Sequence, residues 1–357
     1  MKVLHLADWH VRDKDLDEIS RCLTKIEVTA RDEAVDLIVI AGDIFDSREV
    51  KVDSKSALLV IGFLSCLANI APIAIVTGTP SHEGNAPIIL TYVRGEFPVI
   101  VADKPIQALL TEGGEFSDSY PLAGGIKAVL SLIPTVTKQY FQTASGIAGA
   151  DQEIGQAMSG LFLGFGAQAA EYQAPHVLLW HGGISGAKVP AGHILTGQDI
   201  EVSTDQIRLA AGNSDFEVGC FYPGPLYPVK IDEQECGFWV HEIEDTDFIA
   251  CCGHIHQPQR IVSDGSMTSN WIETPHRKIV RLKTDRTDEE PNLNEITPDI
   301  FGAHIRYDIT VWQDEIGSVD KEGIRKLLLD GGAESVDIHV TTVPRENIRA
   351  EAVLRAN

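Results

Sequence analysis

Five short apolar runs in this chain each end in a cluster of His, Asp and Gly. Val3-Leu4-His5-Leu6-Ala7 is followed by Asp8-Trp9-His10. Asp36-Leu37-Ile38-Val39-Ile40-Ala41 ends at Gly42-Asp43-Ile44-Phe45-Asp46, and Ile73–Val76 runs into Gly78-Thr79-Pro80-Ser81-His82-Glu83. Val177–Trp180 ends in His181-Gly182-Gly183, and Phe248–Cys252 in Gly253-His254-Ile255-His256. Carboxylate and imidazole together suit manganese, iron or zinc. Two such ions sharing a bridging carboxylate can clamp a phosphate and stabilise both its attacking and its leaving oxygen. A D-x-H or H-x-H pair puts both donors on one side of an extended strand end, because side chains repeat every two residues. Taken singly, each cluster has a plainer explanation. Asp8 and His10 could form a solvated strand end, Asp43 a helix cap, and His181 a satisfied core histidine. Their recurrence, each after a buried run, points to a metal site.

The elements that must position these residues alternate. A helical stretch with Leu16, Ile19, Leu23, Ile26 and Ala30 at three- and four-residue spacing follows the first strand. A second helix is expected over 53–69. Strand–helix alternation implies parallel central strands with helices outside, an α/β fold whose sites form at the carboxyl ends of the strands. Further strands are expected at 98–102, 127–133, 176–181, 217–222, 238–243 and 247–252. Residues 141–170 read as helix and loop. The domain reading is a first domain over 1–283, a polar linker or long loop over 284–300 and a small α/β unit over 301–357. That last unit holds a strand (303–312), a helix (318–330) and a strand (335–342).

The chain has 357 residues and is 44% hydrophobic, enough for one sizeable domain and a smaller one. No run reaches the length of a membrane span. The N-terminal apolar stretch is interrupted by His5 and stopped by Asp8, unlike a signal peptide, so a cytoplasmic protein with no membrane partner is expected. Cys22, Cys66, Cys220, Cys236, Cys251 and Cys252 form no C-x-x-C pair and read as free thiols. The formal net charge of −23 does not suggest a free-standing nucleic-acid binder with a basic footprint, and counts against tight DNA binding by this chain alone. It does not exclude a nuclease whose acidic ligands hold cations and whose partner supplies basic surface. His5 is expected to point away from the site, and His176, His193, His241, His276 and His304 to be structural or solvent-facing. Asp46 would cap the next helix or orient a ligand. Trp9 is equally readable as a cleft wall or as core.

These motifs resemble the calcineurin-like metallophosphoesterase superfamily, and more narrowly the SbcD-type DNA exonuclease subunit of the SbcCD repair complex. The narrower likeness rests on Leu6–His10, Gly42–Asp46 and Gly253–Gln259. It also rests on Phe221-Tyr222-Pro223-Gly224-Pro225-Leu226-Tyr227-Pro228, on Gly237-Phe238-Trp239 and on Ile272–Arg277. The resemblance implies a layered β-sandwich flanked by helices, with a small C-terminal capping domain. It implies that Asp8, His10, Asp43 and His256 hold a first ion, and that Asp43 bridges to a second held by His181 and His254. His82 would not ligate but would act on the scissile phosphate as the catalytic residue. The cofactors implied are two divalent ions, manganese foremost, with iron or zinc as alternatives. The partners implied are DNA and an SbcC-like coiled-coil ATPase, with a homodimer also open. The activity implied is exonuclease on duplex ends, with room for single-strand endonuclease. A small-nucleotide phosphodiesterase or phosphatase, or a metal-binding scaffold, are the alternatives.

Two departures stand out. The family's Gly-Asn-His-Asp/Glu motif supplies an Asn ligand to the second ion, whereas Ser81 stands beside His82 here. Ser81 substitutes weakly, water fills the place, or Asn85 swings in. Also, Phe221–Gly224 precedes Gly253–His256, so segments 212–245 and 246–265 look exchanged relative to the family order.

Overall fold

The computed structural model describes residues 1–118, 125–136, 147–189, 200–212, 215–229, 233, 235–263, 267–287 and 300–344, the side chains of 147–153 excepted. The chain divides into two compact units, Met1–His276 and Arg277–Asn357.

In chain order the first unit holds β1 (Lys2–Leu6), α1 (Leu16–Asp32), β2 (Leu37–Ala41), α2 (Lys55–Leu67), β3 (Ile73–Val76), β4 (Val99–Ala102), β5 (Ile106–Thr111), β6 (Phe116–Ser117) and β7 (Ile126–Ile133). It continues with α3 (Ile147–Ala169), β8 (His176–His181), β9 (Gly183–Ile184), β10 (Glu201–Val202), α4 (Thr204–Ala211) and β11 (Glu217–Tyr222). It ends with β12 (Gly237–Glu242), β13 (Asp247–Gly253), β14 (Gln259–Ser263) and β15 (Thr268–Glu273). Six strands form one sheet in the order β15-β12-β1-β2-β3-β4, and seven form another in the order β14-β11-β13-β8-β7-β5-β6.

The period-two alternation of side chains explains the layers. Leu4, Leu6, Ile38, Ile40, Ile73 and Ile75 face α1 and α2, burying Ile19, Leu23, Ile26, Val60 and Leu64. The alternate residues Val3, Val39, Ala41, Ala74 and Val76 meet Leu130, Leu132, Val177, Leu179, Ile249 and Cys251 of the second sheet. That sheet's other face, with Leu178, Trp180, Phe248 and Ala250, packs on Phe162 of α3 and on Ile207 and Ala210 of α4. The result is helix, sheet, sheet, helix: the expected α/β layered sandwich. The central strands are apolar along their whole length because both faces are covered. The 141–170 stretch supplies α3, and its residues 141–146 lie outside the described residues.

Segments 212–245 and 246–265 reach their places by crossings between sheets. β11 lies in the second sheet, and the chain then crosses to β12, which pairs antiparallel with β1 through Lys2↔Glu242 to His5↔Trp239. It returns as β13, parallel to both β11 and β8, with Gly253 level with His181. The Gly-His-x-His segment therefore leaves the middle of the second sheet beside His181.

The second unit is a parallel sheet of β16 (Lys278–Asp285), β17 (Ala303–Trp312) and β18 (Ser335–Val343), with α5 (Lys321–Asp330). Ile305, Tyr307, Ile309, Val311 and Leu328 form its core. The unit boundary falls at His276/Arg277 rather than after 283, because 278–285 is a strand of this sheet. Of the expected linker 284–300, residues 288–299 lie outside the described residues. A 3-10 turn, Gln313–Ser318, precedes α5, whose Asp320 side chain caps the helix by accepting from the Gly323 N–H.

Candidate metal centre

Beyond their carboxyl ends β1 and β2 stay in register. The Asp8 N–H donates to Gly42 O at 3.0 Å, His10 N–H to Asp43 O at 2.9 Å and Val11 N–H to Ile44 O at 2.9 Å. The chain turns sharply there. Asp8 (φ 52°), His10 (φ 45°), Asp43 (φ 52°) and His254 (φ 94°) adopt left-handed backbone. Such conformations cost about 1–3 kcal/mol each in non-glycine residues, and persist only where the surroundings enforce them. Four of the five non-glycine residues with positive φ in the described chain are candidate ligands, so backbone strain is concentrated at this site. Gly42 has φ 79°, and a Cβ there would run into His181 Nδ1 and the Gly78 backbone.

The six candidate ligands fall into two groups, Asp8–His10–His256 and Asp43–His181–His254, all buried but the half-buried His254, the donor atoms of each group within 4.8 Å of one another. Asp43 links them. Its Oδ2 lies 3.7 Å from His10 Nε2 and 3.4 Å from His181 Nε2. Asp8 Oδ1 lies 3.8 Å from His256 Nε2 and accepts the His254 N–H at 2.9 Å.

Three imidazoles have their outer nitrogen engaged by an acceptor. His181 Nδ1 lies 2.6 Å from Ala41 O, His256 Nδ1 2.5 Å from Glu233 Oε1 and His10 Nδ1 3.3 Å from Asp46 Oδ1. Each outer nitrogen therefore carries a proton, and each Nε2 is the nitrogen turned into the site. His10 Nε2 and His256 Nε2 approach to 3.0 Å. If both inward nitrogens are unprotonated their lone pairs repel, and either a second proton or a cation removes the repulsion. With this donor set, the residues fit divalent ions.

The electrostatics agree. Burial opposes ionisation of Asp43, yet the imidazoles of His181, His10 and His82 hold its carboxyl far below the usual range. Burial pushes Asp8 up, partly offset by His256 and His181. Burial also opposes a charge on His181, but Asp43 and Asp8 raise it to about 9. The same competition raises His256, through Glu233 and Asp8. Without an ion, the site draws protons onto its ligands.

His82 belongs to neither group. Its ring lies 4.8 Å from that of His10, and its Nδ1 is 3.4 Å from Asp46 Oδ1, which raises its pKa. Asp46 thus orients both His10 and His82, one of the two roles expected of it, and Arg12 Nη1 reaches it at 3.5 Å. Buried Glu83 accepts the N–H of Ile44 at 2.7 Å, of Phe45 at 3.2 Å and of Gly78, tying the second and third strand ends together. Burial and Asp43 push it up to about 8.

Ser81 and Asn85 are exposed, and neither is placed against a ligand. Thr79 is the residue of this segment that reaches the site. Its N–H donates to Asp43 Oδ1 at 2.5 Å, and its Oγ1 lies 3.1 Å from Asp43 Oδ2 and 3.2 Å from His181 Nε2. Sequence reasoning missed both Thr79 and Glu233. Trp9 is core, edge-on to Phe63 at 5.8 Å. His5 sits between the sheets, 3.1 Å from Cys252 O and 3.4 Å from His241. His176 is buried, His276 Nδ1 lies 2.9 Å from Thr274 O, and His304 Nδ1 lies 2.6 Å from Ser335 Oγ. His193 lies outside the described residues. The cysteines are free; all are buried except Cys66.

Residues 1–146 match the family model of calcineurin-like phosphoesterases. The match supports the metallophosphoesterase superfamily, and with it a metal-binding hydrolase of phosphoesters. It takes in Asp8, His10, Asp43 and His82, while His181, His254 and His256 lie beyond it and join through the geometry above. No curated protein matches the chain. Among solved structures, the chain is similar to "GAP50 the anchor in the inner membrane complex of Plasmodium", at 10% identity and a TM-score of 0.41 over 77% of this chain and 85% of that one. That likeness is too slight to carry an argument. No helix among the described residues is long and apolar enough to cross a membrane.

Proposed function

We propose that this chain is a metal-dependent DNA nuclease of the SbcD type, the nuclease subunit of a complex with a coiled-coil ATPase. The observation that carries the hydrolytic part is the pair of donor groups joined through Asp43, with His82 alongside. Two divalent ions bound there, manganese foremost, supply Lewis-acid charge to a phosphodiester. Asp43 orders the two groups around a shared carboxylate. Glu233, Asp46 and the Ala41 carbonyl orient the imidazoles. His82, kept protonated by Asp46, gives a proton to the leaving oxygen. The DNA part is supported by the likeness of Phe221–Pro228 and Ile272–Arg277 to that nuclease family. It also needs the partner to supply basic surface, since this chain carries −23.

The same charge favours a second reading, a phosphodiesterase for a small nucleotide. The test is hydrolysis of a linear duplex and of mono- and dinucleotides by the purified chain with manganese. His82→Ala is expected to lower turnover at least about 100-fold, at the low end for general acid catalysis, with both ions still bound. Cleavage of nucleotides but not of DNA, with or without the ATPase, selects the second reading. Inactivity toward every phosphodiester with manganese, cobalt and nickel rejects both.

A further inference from the structure

We propose that the Thr79 hydroxyl oxygen is a ligand of the second ion, completing the Asp43–His181–His254 group in the place where related enzymes use an Asn amide. This rests on the two-ion reading above and concerns one residue of this chain.

Gly78-Thr79-Pro80-Ser81-His82-Glu83 is longer than Gly-Asn-His-Glu, so the Asn position depends on where counting starts. Counting back from His82 gives Ser81, and counting forward from Gly78 gives Thr79. The structure favours the second count. A Cβ at Gly78 would collide with the Asp43 backbone N and Oδ1, so the chain passes directly over Asp43 at this point. The next residue then drops its hydroxyl into the group. The Thr79 N–H holds Asp43 Oδ1, which fixes the backbone, and Oγ1 stands 3.1 Å from Asp43 Oδ2 and 3.2 Å from His181 Nε2.

With an ion bound and its second proton displaced, His181 Nε2 presents a lone pair beside the Asp43 carboxylate. His181 carries its proton on Nδ1, held by Ala41 O at 2.6 Å, and Asp43 is a carboxylate. A hydroxyl has one proton and can satisfy only one of them. Three lone-pair atoms from Thr79, Asp43 and His181 thus converge, with His254 as the fourth donor of the group. Ser81 lies beyond Pro80 and is exposed, and Asn85 is exposed at the start of the 3-10 turn Ala86–Tyr92.

A hydroxyl oxygen is a weaker donor than an amide oxygen. The two ions should therefore bind unequally, the second released first.

The test is manganese titration of the full chain, read by calorimetry and by the exchange-coupled paramagnetic signal of a manganese pair, with no activity assay. Wild type should bind two ions in two steps. Thr79→Val, near-isosteric and with its N–H intact, should keep the first ion and weaken the second by roughly tenfold or more, at least what loss of an outer hydrogen-bond partner of a ligand costs. Thr79→Ser should restore it, and Thr79→Asn should bind the second ion more tightly than wild type. Ser81→Ala and Asn85→Ala should leave both steps unchanged. Tight binding of the first ion by Thr79→Val shows that this variant is folded. The inference is overturned if Thr79→Val binds both ions as wild type does, or if Ser81→Ala or Asn85→Ala removes the second. In those cases wild type still binds two ions and the function reading stands. Wild type that binds fewer than two overturns both.

Discussion

Glu233 decides which nitrogen His256 offers to an ion. By accepting the Nδ1 proton at 2.5 Å it fixes the ring and its tautomer. Loss of such an outer partner typically costs 10- to 100-fold in metal affinity. Glu233→Ala, which removes the acceptor, is therefore expected to weaken the first ion by roughly that factor while sparing the second. Manganese titration checks this, and unchanged first-ion affinity would show that the ring is held by packing alone. At this scale the sequence marked the Asp/His clusters that close buried runs, and the structure brings the six candidate ligands in them within reach of one another in two groups. Glu233 carries no such mark. It is one acid in the run Asp232-Glu233-Gln234-Glu235, and only the tertiary fold brings it to His256. Thr79 was hidden differently, because a lengthened motif has two alignments and only the backbone path over Asp43 chooses between them.

At the scale of elements, the turn after β2 is where strand geometry becomes site geometry. Gly42→Ala forces a left-handed residue and drives a methyl into His181 and Gly78. It is expected to cost at least about 1–3 kcal/mol of stability and to weaken the second ion, since His181 must move. Urea unfolding of the metal-free protein, with a parallel titration, measures both; wild-type values in each would mean that the turn relaxes freely. The central strands were legible because burial on both faces leaves a continuous apolar run. The peripheral ones were not. β15 and β16 alternate between half-buried and exposed residues, a weak pattern in a polar stretch, so 278–283 read as the end of the first domain and 284–285 as linker. Sheet order was equally hidden, since nothing local in β12 announces that it leaves the sheet of β11 and β13 to pair with β1.

For the whole molecule, acidity should matter in both directions. His5, His176 and His241 are buried and neutral, with burial lowering the first two to about 3 and the third well below its ordinary 6.5. Unfolded, each binds a proton below pH 6.5; folded, it does not. Their stabilisation is complete above 6.5 and falls as pH drops toward 3, by up to about 1.4 kcal/mol per pH unit for each. Glu83, raised to about 8, and His181, raised to about 9, work oppositely, losing stabilisation as pH rises above their unfolded values of 4.5 and 6.5. Three histidines outweigh Glu83 on the acid side, so the metal-free protein should be most stable near pH 6.5. Urea midpoints in chelator at pH 5, 6.5 and 8.5 test this, and a midpoint that rises steadily across the range would contradict it. Added manganese should raise the pH 8.5 midpoint most, because protons compete least for the ligands there.

β1 is synthesised well before its antiparallel neighbour β12, which begins at Gly237. Throughout the intervening synthesis, one flank of a strand central to the finished sheet has no native neighbour, a template for wrong pairing. The same late segment brings His254 and His256. A chain interrupted before them keeps Asp8, His10, Asp43 and His181 but lacks the last imidazole of either donor group. Metal retention would then report synthesis past His256: fragments ending short of it should elute bare from a metal column, while chains that contain it stay loaded. Such fragments would also be the species most prone to clump, so the candidate metal centre and the exposed flank of β1 are closed by the same later stretch of chain.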